Sequence, residues 1–585
     1  MRTMARINAI HFSKAQYRPG EDVLVEVCLR AEGACQAAAL GAAVTDVLTV
    51  VYEDSREIEP ATRNVKLRIP GHVLHERLVA TGRLDRAIGF GLLIELTDCD
   101  STARASASFD VAPHWRYAPR YGFACEFASN IAPDPSKWQR MADMHINVVQ
   151  FYDWMYRHHQ LIPESNVFRD PLGRLLDLSQ VCKQAELARR FGIAPIAYGA
   201  IYGAEQDFAD AHPEMGAYKW DGTQHSLANF IWIMDIERGS AWRDHVIDQY
   251  ANAIDKIGFE GIHLDQYGFP RVYYTRDGHH VQTEREFAPF VQACRDRLGH
   301  ETGLIFNAVN SWPVQEVAAA PQDAVYIEVW PPHDTYRDLR ELVLRGHREA
   351  EFGKQVILAA YMKPFATNTL AAIPNEPAEI ALRLTSAAIM SSGGFHLVLG
   401  EGDAVLTEGY YPHYARLSDE FMTIMKHYWD FAVRHEEFLF DLGARDTYGV
   451  EVGGTDQGLE VVGYPYSPWG EAGKVWATVR HGRGHKLLQL VNLVGVDDPR
   501  WNEPKKSPPT VLHDVTIRWL LDDEIRDLLL ASPDLGDASW RPVPYRESPG
   551  DHGRVIEFTL ERLDYWSIIV VRSASDPSHF SSLLI

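Results

Sequence analysis

The alternation of apolar and polar positions changes character twice along the chain. From the N-terminus to about residue 115 it has a period of two. EDVLVEVCLR (21–30) follows the turn signal RPG, and NVKLRI, GFGLLIELTD and ASASFDV come after it, each bounded by Gly, Pro or charged residues. Such runs predict strands with one buried face, hence an antiparallel β-sandwich of Ig-like type. VAPHWRYAPR (111–120) reads as a linker.

Beyond about residue 119, short apolar runs alternate with helical patterns. The runs are YGFACEF (121–127), INVVQFYDW (146–154), APIAYGAIY (194–202), GIHLDQYG (261–268), GLIFNAVN (303–310), AVYIEVW (324–330), QVILAAYM (355–362) and GFHLVLGE (394–401). Between them lie segments such as DLSQVCKQAELARRFG, SAWRDHVIDQYANAIDKIG and EREFAPFVQACRDRLG, each closing on Gly as helices often do. Eight β–α units over about 300 residues predict a (β/α)8 TIM barrel. A doubly wound open sheet is the alternative that the same alternation allows. About 60 residues separate the third and fourth runs, and long βα loops usually wall an active site.

A helical stretch, SDEFMTIMKHYWDFAVRHEEFLF, follows residue 410, and then period-two runs return. The fold class expected is multidomain: an N-terminal β-sandwich over 1–115, a catalytic (β/α)8 barrel over 116–430 and a C-terminal antiparallel β-sandwich over 431–585.

Composition narrows the partners. The net charge of -23 disfavours a polyanion, and no long basic run is present, so nucleic acid is excluded as a partner. No window has the ~18 apolar residues of a membrane span. The N-terminus lacks a secretory pattern, so the chain reads as cytoplasmic as it stands, or periplasmic or secreted if a leader has been removed. Cys28, Cys35, Cys99, Cys125, Cys182 and Cys294 form no CxxC and read as free thiols. Aromatic residues make up 11%, which suits stacking on sugar rings and equally suits a large core. Oligomeric state is left at monomer or small homo-oligomer.

In a barrel the chemistry sits where strands end. Those ends carry Glu126, Tyr152, Asp153, Tyr198, Asp265, Asn307, Asn310, Glu328, Trp330, Tyr361, Lys363, His396 and Glu401. Carboxylates, amides and aromatics together are the chemistry of a carbohydrate site. Two carboxyls flanking a glycosidic bond suffice for hydrolysis, about 5–5.5 Å apart for retention and about 6.5–9.5 Å for inversion. Each carboxylate taken alone reads equally as a helix cap or an ion-pair partner. His158–His159 and His279–His280 lack helical ligand spacing and read as hydrogen-bonding residues. There is no GxGxxG after a strand, no GxxxxGK[ST], no HExxH and no GxSxG. No metal and no cofactor is expected.

RYGF (120–123), FYDWMYRH (151–158), AYGAIYGA (197–204), GIHLDQYG, FNAVN (306–310), EVWP (328–331) and HLVLGEGDAVLTEGYYPHY (396–414) resemble glycoside hydrolase family 66. That family holds dextranases and cycloisomaltooligosaccharide glucanotransferases. The resemblance implies endo-cleavage of α-1,6-glucosidic bonds with retention, Asp265 as nucleophile and Glu328 as general acid/base. It places subsite residues on Asp153, Tyr198, Asn307, Trp330 and Glu401. Gln266, beside Asp265, and His396, on the eighth strand, complete the candidate substrate contacts. Two features depart from the family pattern: Glu126 stands where an Asp is usual, and Val398 where a carboxylate is expected. The gap of about 30 residues before the eighth strand leaves no room for the carbohydrate-binding module that cyclising members carry there, which favours hydrolysis. The alternatives are a hydrolase or transglycosylase of another α-1,6-containing glucan, cyclic or branched, and a non-catalytic glucan-binding protein.

Overall fold

Period-two patterning does build the N-terminal region. In Val23–Arg30 the valines at 23, 25 and 27 turn inward and their neighbours outward. This strand lies between Arg6–Phe12 and Asn64–Ile69 in a three-stranded antiparallel sheet. A second sheet of four antiparallel strands orders Thr49–Ile58, Ala38–Asp46, Ile88–Thr97 and Thr102–Val111. The two share one buried cluster that includes Phe12, Val25, Leu40, Phe90 and Phe109. The computed structural model describes residues 6–30, 38–59, 62–97, 101–366, 371–447, 449–453, 458–521 and 523–574. Cys35 and Cys99 fall outside these; Cys28, Cys125, Cys182 and Cys294 are free thiols. No helix among the described residues is long and apolar enough to cross a membrane.

The expected linker is not an exposed tether. Trp115, Ala118 and Arg120 are buried. Asn147 receives the Arg120 N–H and donates to the Ala118 carbonyl, so the segment's backbone groups are satisfied from within. Arg120 itself pairs with Asp110 and Glu436, tying three stretches of chain together.

The eight apolar runs form parallel strands whose spatial order follows their sequence order: Tyr121–Ala124, Val148–Phe151, Ala194–Ala200, Gly261–Asp265, Gly303–Asn307, Ala324–Glu328, Val356–Ala359 and Phe395–Leu397. A doubly wound sheet reverses its order at a switch point, and this one does not. The sheet curls: the last run pairs on one side with Val356–Ala359 and, continued through Leu399–Gly400, on the other with Tyr121–Ala124. Helices follow most strands. Leu178–Arg190 starts at Asp177, whose side chain takes the Ser179 N–H. Ala241–Ile257 starts at Ser240 and stops at Gly258, whose φ of 79° ends the helix without the penalty a Cβ would bring.

The helix Asp419–Arg434 lies across the N-terminal four-stranded sheet. Gly89 explains how closely: a Cβ there would sit 1.8 Å from the Val433 carbonyl oxygen. The last region pairs two further sheets, one built around Val475–Gly482, His485–Asn492 and Trp566–Ser573, the other around Leu512–Leu520 and Gly553–Leu563. They enclose a cluster that includes Val475, Leu488, Ile517, Phe558 and Ile569. The protein is thus multidomain, with separate buried clusters in the first and last regions.

Candidate active site

The parallel strands run from fully buried apolar residues to polar ends. Gly261–Leu264 and Ala324–Ile327 are buried, so Asp265 and Glu328 are the first side chains of their strands to reach open space. Register aligns them with the neighbours: Ala200 stands opposite Asp265, and Ala359 opposite Glu328.

Asn307 ends the strand between them. Its amide nitrogen donates to Asp265 Oδ1 at 2.8 Å and to Glu328 Oε2 at 3.1 Å. The two accepting oxygens therefore lie within about 5.9 Å of each other, the two bonds laid end to end. The outer oxygens are held as well. Tyr198 donates its hydroxyl to Asp265 Oδ2 at 2.8 Å, and Tyr361 donates to Glu328 Oε1 at 2.7 Å. Burial, first, and the Glu328 charge, second, push the Asp265 carboxyl up to about 7, against the hydrogen bonds from Asn307 and Tyr198. Two like charges this close do not ionise independently, so the pair holds one proton more readily than separate carboxylates would.

Aromatic rings line the surroundings. Tyr152 stacks on Tyr411 with centroids 4.2 Å apart and leans on Tyr198 at 5.3 Å. Trp330 meets Tyr361 edge to face at 5.8 Å and stays 40% exposed. Gly409 lies against both: its Cβ would stand 3.3 Å from Glu328 Oε1 and 3.3 Å from the indole.

Asp153 is unusual in two respects. Its backbone sits in the left-handed region at φ 47°, which costs about 1 kcal/mol or more for a residue with a Cβ. Its side chain is 7% exposed, and no described residue donates a hydrogen bond to the carboxylate. Burial pushes that carboxyl up to about 6, opposed by the charges of Arg174 and His158. His158 is locked by Glu205, which accepts its backbone N–H at 3.1 and 3.2 Å and lies 2.8 Å from Nδ1; His159 Nδ1 lies 2.7 Å from the other Glu205 oxygen. Both histidines thus hydrogen-bond, as their spacing suggested. Glu205 escaped the sequence reading because nothing marks it except its place just after the third strand.

Three residues expected among the substrate contacts are buried, with polar atoms bonded inside the protein. Gln266 is 1% exposed, and its amide is consumed internally: the nitrogen donates to the Asn307 and Trp312 carbonyls, the oxygen accepts from Tyr202 and the Gly268 N–H. It props the loop from below. His396 is buried with Nδ1 on Ser386 and Nε2 on the Ala360 carbonyl, so both ring nitrogens are satisfied within the core. Glu401 is buried too, accepting the Glu126 N–H. With Cys125 and Glu126 it gathers possible metal donors within 4.8 Å among the described residues. Burial raises the Cys125 thiol well above its usual range and the Glu401 carboxyl to about 7. Both are thereby held toward their protonated forms, which bind cations poorly.

A sequence profile described as glycosyl hydrolase family 66 matches residues 12–570. The chain belongs to that family. Among its relatives, a cycloisomaltooligosaccharide glucanotransferase of Niallia circulans is 22% identical over 97% of this chain and 72% of its own length. A dextranase of Streptococcus salivarius is 22% identical over 84% of this chain and 68% of its own. The crystal structure of a Paenibacillus sp. cycloisomaltooligosaccharide glucanotransferase, complexed with cycloisomaltoheptaose, superposes with a TM-score of 0.86. It is 20% identical and covers 97% of this chain and 100% of that one, so the family 66 fold is shared end to end.

Proposed function

We propose that this family 66 member is a retaining endo-glycosidase that cleaves α-1,6-glucosidic bonds, with Asp265 as nucleophile and Glu328 as general acid/base. The observation that carries the reading is the Asn307 bridge. Facing oxygens no more than about 5.9 Å apart lie nearer the retaining spacing of about 5–5.5 Å than the inverting spacing of about 6.5–9.5 Å. The printed activities of the relatives, a dextranase and a cycloisomaltooligosaccharide glucanotransferase, support an α-1,6-linked glucan. The sequential strand order and the pairing of Gly400 with Phe123 support a closed (β/α)8 barrel, and the shared clusters support flanking sandwiches, with boundaries near residues 115 and 430.

In this mechanism Glu328 is the acid that protonates the leaving oxygen as Asp265 attacks the anomeric carbon. Asn307 and Tyr198 both donate to Asp265, which favours its ionised form and orients the carboxylate. Once Asp265 is consumed as an ester, no neighbouring charge opposes a negative Glu328, which then deprotonates the incoming hydroxyl. Asp153, buried and without a donor, is ready to accept from sugar hydroxyls, and Trp330 offers an indole face to a pyranose ring.

The acceptor decides hydrolysis or transfer. Residues 360–394 hold the helix Glu376–Ser391 and leave no length for an inserted module between the seventh and eighth strands, which favours water. The test is product analysis on dextran. Linear isomaltooligosaccharides released with α-configuration support the reading. Cyclic products redirect it to transfer, and inversion or the absence of any cleavage overturns it.

A further inference from the structure

Trp220 is 85% exposed, the most exposed of the large apolar side chains. An indole this exposed leaves a large flat apolar face open to solvent. The tip that carries it is well built. Lys219 N–H bonds the Thr223 carbonyl, Gly222 N–H bonds the Lys219 carbonyl at φ 83°, and Asp221 accepts from both the N–H and the hydroxyl of Thr223. Just before the tip, Tyr218 exchanges two 2.8 Å backbone bonds with Tyr274, and the Arg276 guanidinium covers the Tyr218 ring at 5.4 Å. The indole therefore stands on an ordered turn.

Its position ties it to the candidate site. The tip belongs to the long segment between the third and fourth parallel strands. Gly203, in that segment, lies so near Tyr267 that a Cβ would come 2.8 Å from its hydroxyl, and Tyr267 is two residues beyond Asp265. Gly203 pairs with Ile233, whose carbonyl accepts the Ala217 N–H. Two strand spacings of ~4.8 Å and three residues of chain put the Trp220 backbone within about 20 Å of Gly203, which itself abuts Tyr267.

The chemistry around the indole selects the occupant. Lys219, Asp221, Gly222 and Thr223 are exposed and together neutral, so within the turn 219–223 the indole is the one exposed apolar side chain. A protein partner needs roughly 800 Å² per side with an apolar centre. A single flat ring beside neutral polar neighbours matches the apolar face of one pyranose. We propose that Trp220 is an outer platform that stacks a sugar ring of the glucan chain beyond the cleavage site, a reading that rests on the glucan substrate proposed above.

Binding tests it without relying on turnover. Affinity electrophoresis of the full chain in dextran-containing gels should show wild type and Trp220→Phe retarded, with Trp220→Ala weakened about fivefold, the scale of one aromatic stacking contact. In kinetics, Trp220→Ala should lower the ratio of kcat/KM on dextran to kcat/KM on isomaltotetraose by a similar factor, through KM. Equal retardation of wild type and Trp220→Ala, or an unchanged ratio, overturns the platform. A wild type that cleaves neither substrate sinks the functional reading instead; the gels then still decide the platform, since retardation that depends on Trp220 needs no catalysis.

Discussion

The side-chain amide of Asn307 donates to Asp265 Oδ1 at 2.8 Å. That bond favours the ionised form of Asp265 and holds its carboxyl below where burial alone would put it. Asn307→Ala should therefore raise the Asp265 pKa further. The acidic limb of the kcat/KM profile should move to higher pH, with the plateau falling about tenfold to a hundredfold, the worth of a charge-assisted hydrogen bond. A lower plateau on an unmoved limb would show that Asn307 acts elsewhere.

The carboxylate pair makes a sharper claim. Asp265→Asn and Glu328→Gln are each expected to lower kcat by about three orders of magnitude or more with an unchanged circular dichroism spectrum. In the proposed double displacement, mass spectrometry of wild type quenched with a 2-fluoro glycosyl fluoride should find the adduct on a peptide containing Asp265. An adduct on any other residue would reassign the nucleophile.

Glu401 provides a stability test separate from turnover. Burial raises its carboxyl to about 7, above the ~4.5 of an unfolded chain, so its contribution is fully present below pH 4.5 and is lost as pH rises through 7. Glu401→Gln removes the charge and keeps an oxygen for the Glu126 N–H. Its melting temperature should exceed that of wild type by a few degrees at pH 8, about 3 kcal/mol on the scale of the shift, and the gap should largely close by pH 5. A gap independent of pH would mean that packing, not charge, sets it.

Glu205 joins the loops after the second and third strands through its bonds with His158 and His159. It holds His158 above its ordinary 6.5, and its own carboxyl falls well below 4.5. A raised histidine stabilises below its unfolded value and loses that as pH rises; a lowered carboxylate stabilises above its unfolded value and loses that on acidification. Glu205→Ala should thus cost most stability between about pH 4.5 and 6.5 and less at pH 9. Limited proteolysis across that range measures it, with new cleavage expected between residues 156 and 166. Equal sensitivity at both pH values would remove the ion pair from the account.

Much of the architecture was readable because burial imposes periodicity. Val23, Val25 and Val27 alternate because one face of a sheet meets a core, and GIHL before Asp265 is continuous because a central parallel strand is covered on both faces. The helix Gly71–Ala80 and the hairpin Ala38–Ile58 went unread, since small and charged residues blur their pattern and the hairpin's second strand is largely exposed. Helix ends were legible from local chemistry, as at Gly258.

The candidate site divides along the same line. Strand periodicity identified which residues end strands, and family motifs chose Asp265 and Glu328 among them, because both signals are local in the chain. What each side chain touches depends on contacts between residues far apart in sequence. Only the tertiary structure decided that Asn307 spans the two carboxylates, that Gln266 and His396 spend their polar atoms on the scaffold, and that no described residue donates a hydrogen bond to the Asp153 carboxylate. A hydrogen bond is settled to within tenths of an ångström, and nothing in the order of residues encodes that distance before the strands are set side by side.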